Sequence, residues 1–311
     1  MPLTSIVIRT RNEARCLGQV LQAIGRQTWT AHEVIIVDSG STDETLPIAR
    51  RYGTRVIEIP PETFTYGAAL NRGIHEAQGE YIVALSGHAI PAADTWLASL
   101  LAPLLENGVG AVYGRQLPSA GCNPFVAEGM AVFYGTRRQV QTADHKFSNA
   151  NAAWRKRVWE LEPFDERIPY AEDQCWAAAV LRRGVSIVYE PDAAVHHSHD
   201  RSLRQIYRHR RAEVAALKWM NHSTEQCTFR HMVSLWWGST RFGWRMTWQA
   251  RSHWRWQLYC PLYYLAYVYG YYRGLCDPLS TISLHGSPSV SVESGTGTCR
   301  PTANALFTSC D

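Results

Sequence analysis

Five short apolar segments in the first 115 residues constrain this 311-residue chain more tightly than anything else in it. They are TSIVI (4–8), EVIIVD (33–38), TRVIEI (54–59), EYIVAL (80–85) and VGAVYG (109–114). β-Branched residues are common in them, and they are apolar nearly throughout, so each needs cover on both faces. Helical patterns separate them: about Glu13–Gln27, from near Asp43, over 67–77 and over 93–105. Pro47 lies close enough to the start of its helix to be tolerated there. Strands alternating with helices predict an α/β fold, with a mostly parallel central sheet flanked by helices. Ligands of such sheets gather beyond the carboxyl ends of the strands. Thr10–Glu13, Asp38–Ser41 and Ser86–His88 all follow strand ends and should therefore face one crevice.

Residues 116–200 are less regular. KFSNANAAWRKRVWE (146–160) reads as a polar strand end leading into a short helix, and YAEDQCWAAAVLRRG (170–184) as a helix stopped by Gly184. VSIVYEPDAAVHHSHD gives a strand, a break at Pro191 and a histidine cluster, and 201–220 is helical again. Between 226 and 276 there is no acidic residue, but there are six arginines, six tryptophans and seven tyrosines. The last 30 or so residues are rich in Ser, Thr, Gly and Pro, a composition that predicts a disordered tail.

A hydrophobic fraction of 46% with 19% charged residues describes an ordinary folded protein. A formal charge of +4, without any nucleic-acid module, predicts no nucleic-acid partner. The chain opens directly into a strand pattern, and no apolar run reaches the roughly 18 residues of a membrane span. A cytoplasmic location is expected, and with it free thiols for the eight cysteines, none of which forms a CxxC pair.

Three groups of residues invite chemistry. Asp38 begins the turn Ser39-Gly40-Ser41-Thr42-Asp43, which either caps the next helix or offers Asp38 to a ligand. Glu172-Asp173 opens an apolar helix; the pair either complements that helix's positive end or holds a general base at a cleft. His196, His197 and His199 lie in an extended stretch that puts His197 and His199 on one face, an arrangement suited to a metal or an anionic substrate. The stretch RFGWRMTWQARSHWRW fits an amphipathic segment lying on an anionic bilayer surface, or else internal packing or contact with a second copy. No GxGxxG follows the first strand, and no Walker motif occurs anywhere.

Taken together, these segments resemble the family 2 glycosyltransferases of the GT-A fold. IVIRTRNEARCL looks like that family's first strand and nucleotide-contacting turn, and VIIVDSGSTDET like the segment whose aspartate meets the base. FTYGAALNRGIHEAQGEYIVAL is similar to the helix and strand leading to the metal site. FSNANAAWRKRVW, PFDERIPYAEDQCWAAAVLRRG and IVYEPDAAVHHSHD look like the acceptor side, as in bacterial rhamnosyltransferase-like members.

The resemblance implies a donor pocket of Thr10, Arg11, Glu13, Asp38, Ser39, Asp43, Gly67, Arg72 and Ser86, with Asp173 as general base. It implies a nucleoside-diphosphate sugar donor (dTDP- or UDP-linked), a glycan or lipid-linked acceptor, and work at the inner face of the plasma membrane through residues 234–276. The implied organisation is a sugar-nucleotide half (1–115), an acceptor-binding and catalytic half (116–220), a basic aromatic helical extension (221–280) and the tail (281–311). One departure stands out. Where the family carries Asp-x-Asp for its divalent cation, this chain has Ser86-Gly87-His88. Either His88 ligates the metal with His197 or His199, imidazole donors favouring Mn²⁺ over Mg²⁺, or the metal is weakly held, or the site works without one by setting cationic groups against the phosphates. A non-catalytic sugar-nucleotide or carbohydrate-binding protein would need no base beside a histidine cluster. A nucleotidyltransferase should show a glycine-rich loop after strand one, which RTRNEA lacks.

Overall fold

The structure, a computed structural model, describes residues 3–199, 201–220, 227–250 and 252–277; the expected tail over 281–311 lies outside them. The first half lays down β1 (Thr4–Thr10), α1 (Leu17–Gly25), β2 (His32–Asp38), α2 (Thr45–Arg51), β3 (Arg55–Glu58), α3 (Tyr66–His75), β4 (Tyr81–Ser86), β5 (Ile90–Pro91) and α4 (Trp96–Leu101). Then follow β6 (Val109–Leu117), α5 (Pro124–Phe133), β7 (Gln139–Gln141), β8 (Asn151–Arg155), α6 (Lys156–Leu161), α7 (Glu172–Arg182) and β9 (Ser186–His196). Three long helices end the described chain: α8 (Leu203–Met220), α9 (Phe229–Gln249) and α10 (Arg255–Cys276).

All nine strands join one sheet in the order β3-β2-β1-β4-β8-β6-β9-β5, with β7 also paired to β9. Six strands run in one direction, because β1–β4 are mutually parallel and β6 pairs parallel with β9. The antiparallel strand β8 lies between those two parallel groups and joins them. Side-chain alternation along the central strands explains the cover on both faces. Ile6, Ile8, Ile36, Val83 and Leu85 face one core layer with α1 and α4. Val7, Ile35, Val37, Ile82 and Ala84 face the other, with α3, α6 and α7. In α1 the buried residues Leu17, Val20, Leu21 and Ile24 follow helical spacing, so one stripe meets the sheet.

Strand β9 does not stop at Pro191. It continues to His196 through an irregularity, its register against β6 jumping between Gly114/Glu190 and Gln116/Val195. A proline cannot donate to a ladder and is accommodated at such a bulge. Gly114 makes the bulge possible, since a Cβ there would lie 2.1 Å from the Ala193 carbonyl oxygen and 2.3 Å from Asn151 Nδ2. The buried Asn151 amide pins the region by donating to Ala193 O (2.8 Å) and Arg115 O (3.2 Å) and accepting from Trp96 Nε1 (2.9 Å).

The tryptophan-rich segment folds as the hairpin of α9 and α10 laid along α8. Phe125, Ile206, Cys260, Tyr263 and Tyr264 form one packed cluster there, and Val214, Met232, Val268 and Leu275 belong to another. Part of the aromatic content is structural. Pro261 inside α10 has no N–H for the Gln257 carbonyl one turn earlier, and Trp244 Nε1 donates to that carbonyl at 2.8 Å. Trp236 Nε1 bonds Pro261 O at 2.9 Å. Gly270 and Gly274 let α10 press on α8, where a Cβ would meet the Tyr207 and Arg211 carbonyl oxygens at 2.7 Å. Other side chains point outward, including Trp248, Trp254, Leu258, Leu262 and Leu265. Among the described residues no helix is long and apolar enough to cross a membrane, and no disulfide forms.

Asn151→Ala would strand two buried carbonyls and the Trp96 indole N–H. Urea denaturation should show a loss of roughly 3 kcal/mol or more, at about 1 kcal/mol or above for each unpaired group; an unchanged midpoint would contradict the pinning role.

Candidate active site

The turns after β1 and β2 are tied into one ledge. Asn12, in the left-handed region at φ 56° that asparagine tolerates, accepts from Thr42 N with Oδ1 (2.8 Å), and its own N–H donates to Ser41 Oγ (2.8 Å). Glu13 N donates to Thr45 Oγ1 (2.7 Å) and Ala14 N to Asp43 Oδ2 (3.2 Å). Asp43 also accepts from Thr45, and that hydroxyl is the main reason its carboxyl is held below the usual range. Asp38 is fully buried and accepts from Thr10 Oγ1 (3.0 Å), Gly40 N (3.0 Å), Ser41 N (2.8 Å) and Ser41 Oγ (2.5 Å). Ser39 is buried against the Thr10 carbonyl. Arg11 is exposed on this ledge. Gly67 is buried, facing Phe164 and Asp165, and Arg72 is exposed on α3.

The three histidines converge, although more than a hundred residues separate His88 from the other two. Ile90 and Pro91 of β5 pair antiparallel with His196 and Val195, which sets the loop after β4 beside the end of β9. His88 stacks on His197 with ring centroids 4.7 Å apart, and His199 meets both edge-on at 4.8 and 4.7 Å. Their nitrogens include a set in which one atom from each ring lies within 4.8 Å of the others. His196, by contrast, is exposed.

Hydrogen bonds to Nδ1 orient two of these rings. His88 Nδ1 lies 2.8 Å from Glu13 Oε1 and 3.2 Å from Ser86 Oγ, and His197 Nδ1 lies 2.7 Å from Gln116 Oε1. A carboxylate or amide oxygen only accepts, so Nδ1 carries the hydrogen and Nε2 of the neutral ring presents its lone pair. His88 Nε2 is buried and has no partner. Burial first, then the neighbouring His199, His88 and Arg201, holds His197 well below its usual pKa; burial and Arg201 push His199 down to about 3. Oriented imidazoles with an orphaned buried nitrogen are donors suited to a divalent cation, and Glu13 supplies the outer carboxylate common behind metal-binding histidines.

A second group flanks this cluster. Ala171 takes a left-handed conformation (φ 58°), a strain of the kind found at functional sites, and turns Glu172 and Asp173 inward. Glu172 is buried and pairs with Arg9 Nη1 at 3.1 Å. The Arg9 guanidinium also lies over the Tyr66 ring, 5.1 Å from its centroid. Asp173 accepts from Asn149 N (3.3 Å) and Gln174 N (2.8 Å). Burial, reinforced by the Glu172 charge, raises its pKa to about 8. Ser148, next to Asn149, accepts from Gln116 Nε2 at 2.9 Å, so a short path of hydrogen bonds and chain joins Asp173 to His197.

Sequence reasoning missed Arg9, Gln116 and Asn149. Only Arg9 left a signal, as a lone cation in an otherwise buried strand.

Residues 5–188 match the model of "Glycosyl transferase family 2". The chain is 32% identical over 219 residues to the O-antigen chain rhamnosyltransferase WbaN of Salmonella anatum, covering 67% of this chain and 70% of that protein. It is 30% identical over 215 residues to RfbN of Salmonella typhimurium, also an O-antigen chain rhamnosyltransferase, covering 65% and 68%. Among solved structures it resembles a Pyrobaculum calidifontis mannosyltransferase complexed with GDP-Man and Mn²⁺, with TM-score 0.57 and 23% identity. That likeness covers 71% of this chain and 63% of the other, and at such identity it shows the fold alone. Site, fold and family model converge: the chain belongs to glycosyl transferase family 2 and is a glycosyltransferase that takes its sugar from a nucleoside diphosphate.

Proposed function

We propose that this protein is an inverting transferase that moves a sugar from a dTDP- or UDP-linked donor to a hydroxyl of a glycan or lipid-linked acceptor during surface-polysaccharide synthesis. The observation that carries the reading is a lone raised-pKa carboxylate, Asp173, linked through Asn149, Ser148 and Gln116 to the histidine cluster. The names of the two Salmonella relatives make rhamnose the first donor sugar to test. In this reading Thr10, Arg11, Asp38, Ser39 and Asp43 form the nucleotide ledge of the 1–115 half, with Gly67, Arg72 and Ser86 at its margins. Asp173 belongs to the acceptor half.

As the acceptor oxygen bonds to the anomeric carbon, the bond from that carbon to the diphosphate oxygen breaks on the opposite face. The acceptor's proton goes to Asp173. A carboxylate with an ordinary pKa would be a weak base; burial and Glu172 strengthen this one. Arg9 pairs with Glu172, the neighbouring carboxylate whose charge adds to burial in raising the pKa of Asp173. Only one base is required, unlike the paired carboxyl groups of a glycoside hydrolase.

His88, His197 and His199 would hold the divalent cation, for which Mn²⁺ suits imidazole better than Mg²⁺. Bound there, it supplies charge stabilisation for the leaving diphosphate.

The exposed stripe of Leu258, Leu262 and Leu265 on α10, with exposed Trp254 just before that helix and exposed Arg241, Arg245 and Arg255 on the α9–α10 hairpin, is read as the contact with an anionic bilayer on the inner face of the plasma membrane.

Asp173→Asn should lower kcat by about 10²–10⁴-fold and leave nucleotide affinity intact; loss of nucleotide binding would remove the base assignment. An acid limb in kcat/KM is expected above the ordinary carboxylate range, with activity rising as Asp173 ionises. Because the Glu172 charge raises that pKa, Glu172→Gln should move the limb to lower pH; an unmoved limb would assign it elsewhere. Glu13→Gln should weaken Mn²⁺ binding, measured by calorimetry without substrate, by about 10–100-fold, and equal affinities would make Glu13 irrelevant to the metal. Replacing Leu258, Leu262 and Leu265 together by serine should abolish sedimentation with phosphatidylserine vesicles; undiminished sedimentation would refute the bilayer contact.

A further inference from the structure

A cavity of ≈220 Å³ opens beside the histidine cluster, between α5, α8 and α10. Asn123, His199, Arg201, His209, Arg210 and Tyr263 are among its walls, but no residue of the turns after β1 and β2 lines it. Its occupant is therefore not the nucleoside. Among the described residues that line it, two guanidinium groups meet one carboxylate. Arg201 is mostly buried, yet it has no hydrogen bond or ion pair among the described residues. The acid that acts on it, Glu213, is already engaged: its Oε2 lies 3.0 Å from Arg210 Nη1 and 4.0 Å from His209 Nδ1. Arg210 stands between the faces of Tyr267 and Tyr271, 4.7 and 5.6 Å from their centroids, and its Nε is buried without a partner. Two guanidinium groups thus face one carboxylate in a partly dry space.

Arg201 opens to the cavity without an acceptor of its own, and an anion entering there would pair with it in a partly dry space. The guanidinium fork matches the oxygens of a phosphoryl group in a bidentate manner. Helix α10 links the cavity to the apolar stripe. Tyr263 and Tyr267 face the cavity, whereas Leu258, Leu262 and Leu265 face solvent from the same helix. An acceptor held at the stripe, with its lipid joined to its glycan through phosphate, would present that phosphoryl group to the cavity.

We propose that this cavity is an acceptor subsite in which Arg201, supported by Arg210, binds a phosphoryl group next to the histidine cluster. The proposal rests on the glycosyltransferase reading above. It makes the acceptor anionic close to the hydroxyl that receives the sugar.

Octyl phosphate, kept below its micellar concentration, is titrated calorimetrically into protein saturated with Mn²⁺ and dTDP. The wild type should bind it, and neutral octyl glucoside should not displace it. Arg201→Gln should weaken binding by about tenfold or more, while Arg201→Lys, which keeps the charge but not the fork, should fall between the two. Affinity for dTDP should be equal in all three proteins, which also reports that the variants are folded. Displacement of octyl phosphate by dTDP would make the cavity part of the donor site and overturn the proposal. Equal octyl phosphate affinity in wild type and Arg201→Gln would overturn it as well. A wild type that binds neither dTDP nor UDP would instead sink the donor reading, a failure distinguishable from these two.

Discussion

The two-residue ladder between Ile90–Pro91 and Val195–His196 is the contact on which the site depends. It is short, but it fixes the loop after β4 against the end of β9 and so stacks His88 on His197. Its own position depends on the bulge at Glu190–Ala194, which advances β9 relative to β6 and brings Gln116 beneath His197. The bulge in turn depends on the missing side chain at Gly114 and on the Asn151 amide that fills the gap. Backbone geometry deep in the sheet therefore decides where imidazoles stand at its edge.

Charge is arranged in complementary layers around that edge. Neutral His197 and His199 occupy the centre, because burial and nearby cations oppose their protonation. Carboxylates stand behind or beside them: Glu13 orients His88, Glu172 pairs with Arg9, and burial with the Glu172 charge raises the pKa of Asp173. Cations collect on the opposite wall as Arg201 and Arg210. A diphosphate, a divalent ion and a hydroxyl proton can thus be handled by separate groups with little mutual interference.

Much of the fold was legible because its signals are local. The apolar strands and the helical spacing of Leu17, Val20, Leu21 and Ile24 predict both core layers. The spacing of His197 and His199 puts them on one face, and the structure brings His88 beside them. What escaped was non-local or short. The antiparallel insertion of β8 between β4 and β6 is a pairing choice that its own residues do not encode. Strands of two or three residues, β5 and β7, carry no periodicity. Pro191 looks like a break because a proline's effect on a ladder depends on the partner strand. Tryptophan composition alone does not separate Trp236 and Trp244, which satisfy carbonyls of α10, from the exposed Trp248 and Trp254. Nor does the sequence reveal which residues hold the functional ones, as Gln116 and Asn149 show.

In the proposed mechanism three imidazoles do the work usually given to an Asp-x-Asp pair. Pulsed electron paramagnetic resonance on the Mn²⁺- and dTDP-loaded protein tests it most directly, because nitrogen bound to manganese leaves its own couplings. The account predicts couplings from coordinated imidazole nitrogen that diminish when His88 or His199 is replaced by alanine. A spectrum with phosphorus and water-proton couplings but no nitrogen would contradict it.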